Sequence, residues 1–248
     1  ASNAALTPLV YTFTVSASAS PGTFGTKTDY TVGTGPLSVF VSDIDGDGDG
    51  DLAVTNRDAY TVSILKNNGN GTYSAKTDYT TGANQPRSVF IGDVDGDGDG
   101  DLVVASSSSI VSIYKNNGDG TFAAKTDYTT GGSSYFVYIS DLDGDGDGDL
   151  ATANLGSNTV SIFMNNGNGT FAAKVDYVTG GGPNSVFISD LDGDGDGDLA
   201  LANQTSHTVS ILKNNGNGTF SAKVDYATGS GPTSVSIRDL DGDGDGDL

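Results

Sequence analysis

One string sets the terms for this chain of 248 residues: D-x-DGDGDGDL begins at Asp43, Asp93, Asp141, Asp190 and Asp239, with spacings of 50, 48, 49 and 49. Self-similarity at such a period marks a fold that reuses one supersecondary unit and stacks the copies. The unit is clearest over residues 37–86, which contain SVFVS, the Asp loop, LAVT, a variable turn, TVSILK, the turn NNGNG and then TYSAKTDYTTG. The same order returns three more times with small changes.

Each segment reads as a short strand. Residues 38–42 alternate as a period-2 pattern requires, residues 52–55 are a short apolar run, and residues 61–66 set Val62 and Ile64 against Thr61 and Ser63. Asn68–Gly69 is a strong hairpin dipeptide, repeated as Asn117–Gly118, Asn166–Gly167 and Asn215–Gly216. A fourth segment carries Lys76 and Asp78 on one face, and the Lys-x-Asp pair recurs at Lys27/Asp29, Lys125/Asp127, Lys174/Asp176 and Lys223/Asp225. Charge on a last strand protects an exposed edge from pairing with neighbours. No segment has a helical period, so the expected unit is a four-stranded antiparallel meander.

One small sheet cannot bury both of its faces, so repeated meanders stack radially or linearly. The chain ends favour a ring. Aligning Thr28–Asp29–Tyr30 with Thr77–Asp78–Tyr79 places residue 1 opposite Gly50, at the close of an Asp loop, and the chain stops at Leu248 after a first strand and its loop. The expected fold class is therefore all-β: a propeller of about five four-stranded antiparallel blades, closed by pairing of N- and C-terminal strands, in cis or with a neighbouring subunit. In this single repeat domain of residues 1–248, the complete repeats are 37–86, 87–134, 135–183 and 184–232. Residues 1–36 and 233–248 supply the closing blade.

The formal net charge is −21, and its distribution matters more than its size. All 32 acidic residues are Asp, and 25 of them lie in the five loops. The other seven face eleven Lys and Arg, a balance of +4, so a nearly neutral chain carries five concentrated sites. Nucleic acid is excluded as the main partner. No apolar run approaches the ~20 residues of a membrane-spanning helix. The absence of Cys removes disulfides and thiolate metal ligands. The chain begins without a charged and apolar leader, so any signal peptide is expected to be already removed or never present.

Within a loop, Asp at positions 1, 3, 5 and 9 can turn carboxylates toward one centre. Position 7 offers a backbone carbonyl, and glycines at 4 and 6 permit positive φ. Such a set suits Ca²⁺, which takes six to eight hard oxygen ligands, better than the small octahedron of Mg²⁺. The candidate ligands are Asp43, Asp45, Asp47, Asp49 and Asp51; Asp93, Asp95, Asp97, Asp99 and Asp101; Asp141, Asp143, Asp145, Asp147 and Asp149; Asp190, Asp192, Asp194, Asp196 and Asp198; and Asp239, Asp241, Asp243, Asp245 and Asp247. About five ions, one per loop, are expected. A flexible Asp/Gly linker does not fit, because apolar strand residues flank every loop at fixed offsets. An EF-hand is excluded because position 12 is Val54, Val104, Thr152 or Leu201 rather than Glu.

The loop D-x-D-G-D-G-x-x-D-L followed by a short apolar strand resembles the FG-GAP (VCBS-type) repeat of bacterial surface proteins and integrin α-subunit propellers. The resemblance spans essentially the whole chain. It implies a β-propeller with Ca²⁺ held between first and second strands of each blade. It also implies side-chain ligands at Asp43, Asp45, Asp47 and Asp51 with the Asp49 carbonyl, and the same offsets in the other four loops. Family propellers often have seven blades, so five repeats make either a small ring or part of something larger.

Millimolar Ca²⁺ is an extracellular condition, so secretion or cell-surface display is expected. The Asp loops and NNGNG turns should lie at one end of the blades, with the variable connections at the other. Those include residues 57–60, 106–109, 157–158, 206–207, 84–87 and 133–136. Such variation on a rigid scaffold is a natural place for a protein or glycan ligand, with Tyr60 and Tyr135 as aromatic contacts. No Cys, no Glu and a single His207 leave no nucleophile–base set, so no enzyme is expected. The function expected is a non-catalytic adhesion or structural module; the alternative is the ligand-binding propeller of a larger secreted protein or enzyme. Residues 9–19, LVYTFTVSASA, form the longest clean strand pattern. They could complete the ring or donate a strand to the next subunit, giving a homo-oligomer or filament. Asn-x-Thr triplets at Asn70, Asn168, Asn203 and Asn217 match the glycosylation pattern, three of them simply as part of the repeat turn.

Overall fold

A computed structural model describes residues 27–82, 84–238 and 246–247. Among these residues sixteen strands form four separate four-stranded antiparallel sheets, each a simple meander. The first holds β1 (Pro36–Ser42), β2 (Asp51–Asn56), β3 (Thr61–Leu65) and β4 (Thr77–Thr80). The second holds β5 (Pro86–Gly92), β6 (Asp101–Ser106), β7 (Ile110–Tyr114) and β8 (Thr126–Thr129). The third is β9 (Ser134–Ser140), β10 (Asp149–Asn154), β11 (Thr159–Phe163) and β12 (Val175–Val178). The fourth is β13 (Pro183–Ser189), β14 (Asp198–Asn203), β15 (Thr208–Leu212) and β16 (Val224–Ala227). Among the described residues there is no helix, and so none long and apolar enough to cross a membrane.

The sheets stack as blades, and the core lies between them. Ala53, Val62 and Ile64 of the first blade pack on Val89, Ile91, Leu102 and Val104 of the second. The second and third meet through Val103, Val111 and Ile113 against Val137, Leu150 and Phe163. The third and fourth meet through Ala151, Val160 and Ile162 against Val186, Leu199 and Leu201. Alternate residues of a strand point to opposite faces, so a blade with a neighbour on each side buries both. That is why Leu102, Val103, Val104 and Ala105 are all fully buried in succession. It also corrects the expected polar face of the third strand: Ser63, Ser112, Ser161 and Ser210 are fully buried.

The first strands lie beside one another, and their rings form a column: Phe40 and Phe90 are 4.6 Å apart, Phe90 and Tyr138 5.0 Å, Tyr138 and Phe187 5.1 Å. A cavity of about 500 Å³ is lined by residues of all four first strands and by Ser234, Val235 and Ser236 of the fifth repeat.

Among the described residues four blades are complete, rather than the expected five or so. Of the fifth repeat, Ile237 is buried against Ala200, Val209 and Ile211, and Arg238 pairs with Asp247 across the fifth loop. The expected donor strand of residues 9–19 and the closing pairing lie outside the described residues.

The turn after each third strand also differs from a two-residue hairpin. The Asn68 N–H donates to the Thr72 carbonyl at 2.9 Å, Asn67 bridges Tyr73, and Gly69 and Gly71 both have positive φ. β4 starts only at Thr77. The expected edge charge is present there: Lys76 pairs with Asp78, which accepts the Ser63 hydroxyl at 2.6 Å, and the Ser63 oxygen accepts the Asn56 amide at 2.8 Å. Burial works to raise the Asp78 pKa, but the Lys76 and Ser63 hydrogen bonds outweigh it and leave the pKa lowered.

Candidate metal centre

Each loop links the first strand of a blade to the second, and its end Asp residues hold it in shape. Asp43 opens the first loop, its two oxygens accepting the N–H groups of Gly46 at 2.8 Å and Gly48 at 2.9 Å. Gly46 and Gly48 have φ of 76° and 90°, which the expected positions 4 and 6 require. Gly50, at position 8, serves close packing instead, because a Cβ there would meet Val41. Asp51 closes the loop from a fully buried position, its carboxylate accepting the N–H of Ile44 at 3.0 Å and of Asn67 at 2.7 Å. The same bonds recur in the second, third and fourth loops.

This geometry gathers carboxylates. Asp43, Asp45 and Asp51 bring oxygens within 4.8 Å of one another, as do Asp93, Asp95 and Asp101, and Asp141, Asp143 and Asp149. In the fourth loop the gathered set is Asp190, Asp192 and Asp194. Positions 1, 3 and 9 thus converge in three loops, and positions 1, 3 and 5 in one. Asp47, Asp97 and Asp145 stand outside the clusters, each accepting an N–H two residues on. The position 7 carboxylates of Asp49, Asp99, Asp147 and Asp196 lie instead against Gly69, Gly118, Gly167 and Gly216 of the following turn, and Asp198 stands apart as the anchor of its loop. In the fifth loop Asp239, Asp241, Asp243 and Asp245 lie outside the described residues, while Asp247 exchanges backbone hydrogen bonds with Arg238 at 3.0 and 2.8 Å.

The donor set fits a hard divalent cation. Asp45 Oδ1 and Asp95 Oδ1 are buried without a hydrogen-bond partner, beside two further carboxylates. An orphaned buried carboxylate oxygen is costly unless a cation satisfies it. Burial, reinforced by the neighbouring loop carboxylates, pushes Asp101 and Asp149 up to about 6 against the pull of their backbone donors. The same cause raises Asp51 and Asp198.

Two contributors escaped the sequence reading. From the second blade onward, the first Asn of the turn after the third strand ties loop to loop, whereas Asn67 in the first blade donates to Gly50 of its own loop. Asn116 donates to Gly100 of its own blade and to Ile44 of the preceding one, and Asn165 and Asn214 do the same with Gly148 and Val94, and Gly197 and Leu142. The second is the Lys just before that turn. Lys66 reaches Asp45 at 3.2 Å, Lys115 reaches Asp95 at 3.1 Å and Lys213 reaches Asp192 at 2.7 Å. A hydrogen bond from Lys213 lowers the Asp192 pKa, whereas burial followed by the Asp145 charge raises Asp143, in the loop whose corresponding residue is Met164. A signal was present: NN recurs where a tight turn needs one Asn.

The variable connections gather at the other end, as expected. Arg57 donates its backbone N–H to Gly35, and Ser107 to Gln85. Tyr60, Ser109, Asn158 and His207 take the left-handed conformation at equivalent turn tips. Arg87 stacks on Tyr135 at 4.5 Å, and exposed His207 accepts the Gly231 N–H at 2.9 Å.

Fold and site together define an all-β repeat protein of propeller-like blades, each with an acidic loop at one end. The chain belongs to the FG-GAP-like repeat family, which matches at residues 43–104, 93–152, 141–201 and 190–248. No curated protein sequence matches it. Among solved structures it is similar to an Agrocybe aegerita lectin described as recognising non-reducing terminal N-acetylglucosamine. That likeness has 26% identity and a TM-score of 0.54, covering 75% of this chain and 51% of the lectin. It is also similar in fold to a Bacteroides uniformis protein described as a candidate 6-phosphogluconolactonase, at 19% identity and TM-score 0.61, over 80% of this chain and 56% of the other. A third likeness is the BBS1 N-terminal domain crystallised with ARL6, at 14% identity and TM-score 0.56, over 82% and 56% of the two chains. The chain thus spans little more than half the length of these structures.

Proposed function

We propose that this chain is a non-catalytic, Ca²⁺-stabilised binding and adhesion domain that works outside the cell through the surface opposite its Asp loops. The observation that carries this reading is the cluster of three carboxylates, with Asp45 Oδ1 and Asp95 Oδ1 buried and unpartnered, set at the same place in successive blades. When bound, the cation supplies positive charge that offsets carboxylate repulsion and ties each loop to its blade. The ligands are Asp43, Asp45 and Asp51 and their counterparts, with Asp47 and the Asp49 carbonyl completing the set. Five such ions would move the formal charge from −21 to −11. The likeness to a lectin favours a glycan ligand at the variable end, where Tyr60 is exposed and Arg87 stacks on Tyr135.

A five-bladed ring fits the two uncovered end faces. Val39 and Val41 are 58% and 59% exposed, while Val89 and Ile91, their equivalents in the next blade, are 3% and 6% exposed. At the other end Tyr226 is 55% exposed, while Tyr79, Tyr128 and Tyr177 each pack edge-on against a Phe of the following blade. A fifth blade built from both chain ends would cover both. The second reading, assembly into filaments, covers the same faces with another copy's strands.

Light scattering separates them. In about 2 mM Ca²⁺ a compact monomer near 25.0 kDa that loosens with chelator supports the ring, and a concentration-dependent ladder supports assembly. A particle unaffected by chelator overturns the Ca²⁺ reading.

A further inference from the structure

The four described loops share their carboxylates but not their counter-charge. Lys66, Lys115 and Lys213 each place an ammonium on the position 3 carboxylate of their own loop. Lys66 and Lys115 also donate to the next blade, Lys66 to the Asp119 carbonyl and Lys115 to the Asn168 carbonyl at 2.6 Å. These ammoniums are wedged between the loop and the glycine of the next turn: Lys66 beside Gly120 and Asp45, Lys115 beside Gly169 and Asp95. In the third blade Met164 fills the equivalent slot, against Gly218 and Asp143. The shape of the slot is kept and the charge is gone.

We propose that Met164 makes the third loop, Asp141, Asp143, Asp145 and Asp149, the first of the described loops to take up a divalent cation, while Lys66, Lys115 and Lys213 act as resident competitors in the other three. This rests on the Ca²⁺ reading above. A Ca²⁺ entering the first, second or fourth loop must displace an ammonium from a ligand or sit beside it, and either costs Coulomb energy that the third loop does not spend. As Ca²⁺ falls, those three loops empty first and their lysines return to the carboxylates. Lys66 and Lys115 then again span two blades, which keeps the blades together while the third loop still holds its ion.

The test is calorimetric titration of the calcium-free full chain with Ca²⁺ alone, for the native sequence, Met164→Lys, Met164→Leu and Lys213→Met. Lysine fits the slot at 66 and 115, so Met164→Lys should fold. Lys213→Met is an exposed change that provides the reverse test should it not. The fifth loop is common to all four proteins and cancels in the comparison. Met164→Lys should weaken one equivalent by about tenfold, Lys213→Met should tighten one by a similar factor, and Met164→Leu should leave the titration unchanged. If native protein binds Ca²⁺ and neither charge-changing variant moves an equivalent, or Met164→Lys tightens one, the proposal is wrong while the Ca²⁺ reading stands. If native protein binds no Ca²⁺, both fail.

Discussion

The side-chain amide of Asn116 donates to the carbonyl of Ile44 at 2.8 Å, joining positions 72 apart in the chain and one blade apart in space. The same amide donates at 3.1 Å to Gly100 in its own blade, so one side chain ties two acidic loops together. Asn116→Ala strands these two carbonyls and the N–H groups of Gly118 and Gly120, which donate to its Oδ1 at 3.1 and 3.2 Å, and is expected to cost about 1–3 kcal/mol. Asn117→Ala, one residue on and exposed, should cost well under half of that. Urea unfolding of the two variants measures the difference.

Ser161 sits fully buried in the relay that runs from Asn154 to Asp176. Its oxygen accepts the Asn154 amide at 2.7 Å and the Gly131 N–H at 2.9 Å, while its hydroxyl donates to Asp176 at 2.6 Å. Ser161→Ala leaves two donors and a carboxylate short of a partner and should destabilise by about 2 kcal/mol. Thermal melts should show the loss in both chelator and Ca²⁺, because the relay shares no residue with the ion-binding loops.

The pH response should change sign with Ca²⁺. The folded pKa of Asp101 and Asp149 is about 6, above the ordinary carboxylate value of 3.8, so the folded chain holds those protons more readily than the unfolded one. Their contribution therefore weakens as pH rises from about 4 to 6, and the chelated protein should gain stability as pH is lowered from about 7 to 5. With saturating Ca²⁺ the ion holds the carboxylates ionised, protons compete with it, and stability should fall over the same interval. Denaturant midpoints at the two pH values, with and without chelator, check both slopes.

Phe90 stands between Phe40 and Tyr138 in the column of first-strand rings. Phe90→Ala removes both ring contacts of a half-buried side chain and should cost about 1–3 kcal/mol, whereas Phe90→Tyr should be tolerated, since Tyr138 already occupies the equivalent position. Chemical denaturation of both variants distinguishes loss of the ring from mere change of residue.

What the sequence made legible was the order of segments within one repeat. The four-strand order, the loop between first and second strands, the glycines at Gly46 and Gly48, and the placement of variable turns opposite the loops all follow from spacing within one repeat. Much of what it hid lies between repeats. The Asn116–Ile44 tie, the Phe40–Phe90–Tyr138–Phe187 column and the burial of Ser63 depend on how blades stack, which alternation within a strand does not encode. Position 2 of the loop shows the same limit: it varies among Ile44, Val94 and Leu142 yet stays apolar, because each of these side chains is buried in the core. The lysines were equally obscure, because Lys66 belongs to the third strand in sequence and reaches Asp45 only when the meander folds back.

Calorimetric unfolding of the full chain, in chelator and then in about 2 mM Ca²⁺, addresses the ion-stabilised scaffold most directly. A site filled to 100 times its Kd adds about 2.7 kcal/mol, so several acting together should raise the melting temperature by many degrees, with equimolar Mg²⁺ giving much less. Identical melting temperatures in chelator and in Ca²⁺ would contradict it.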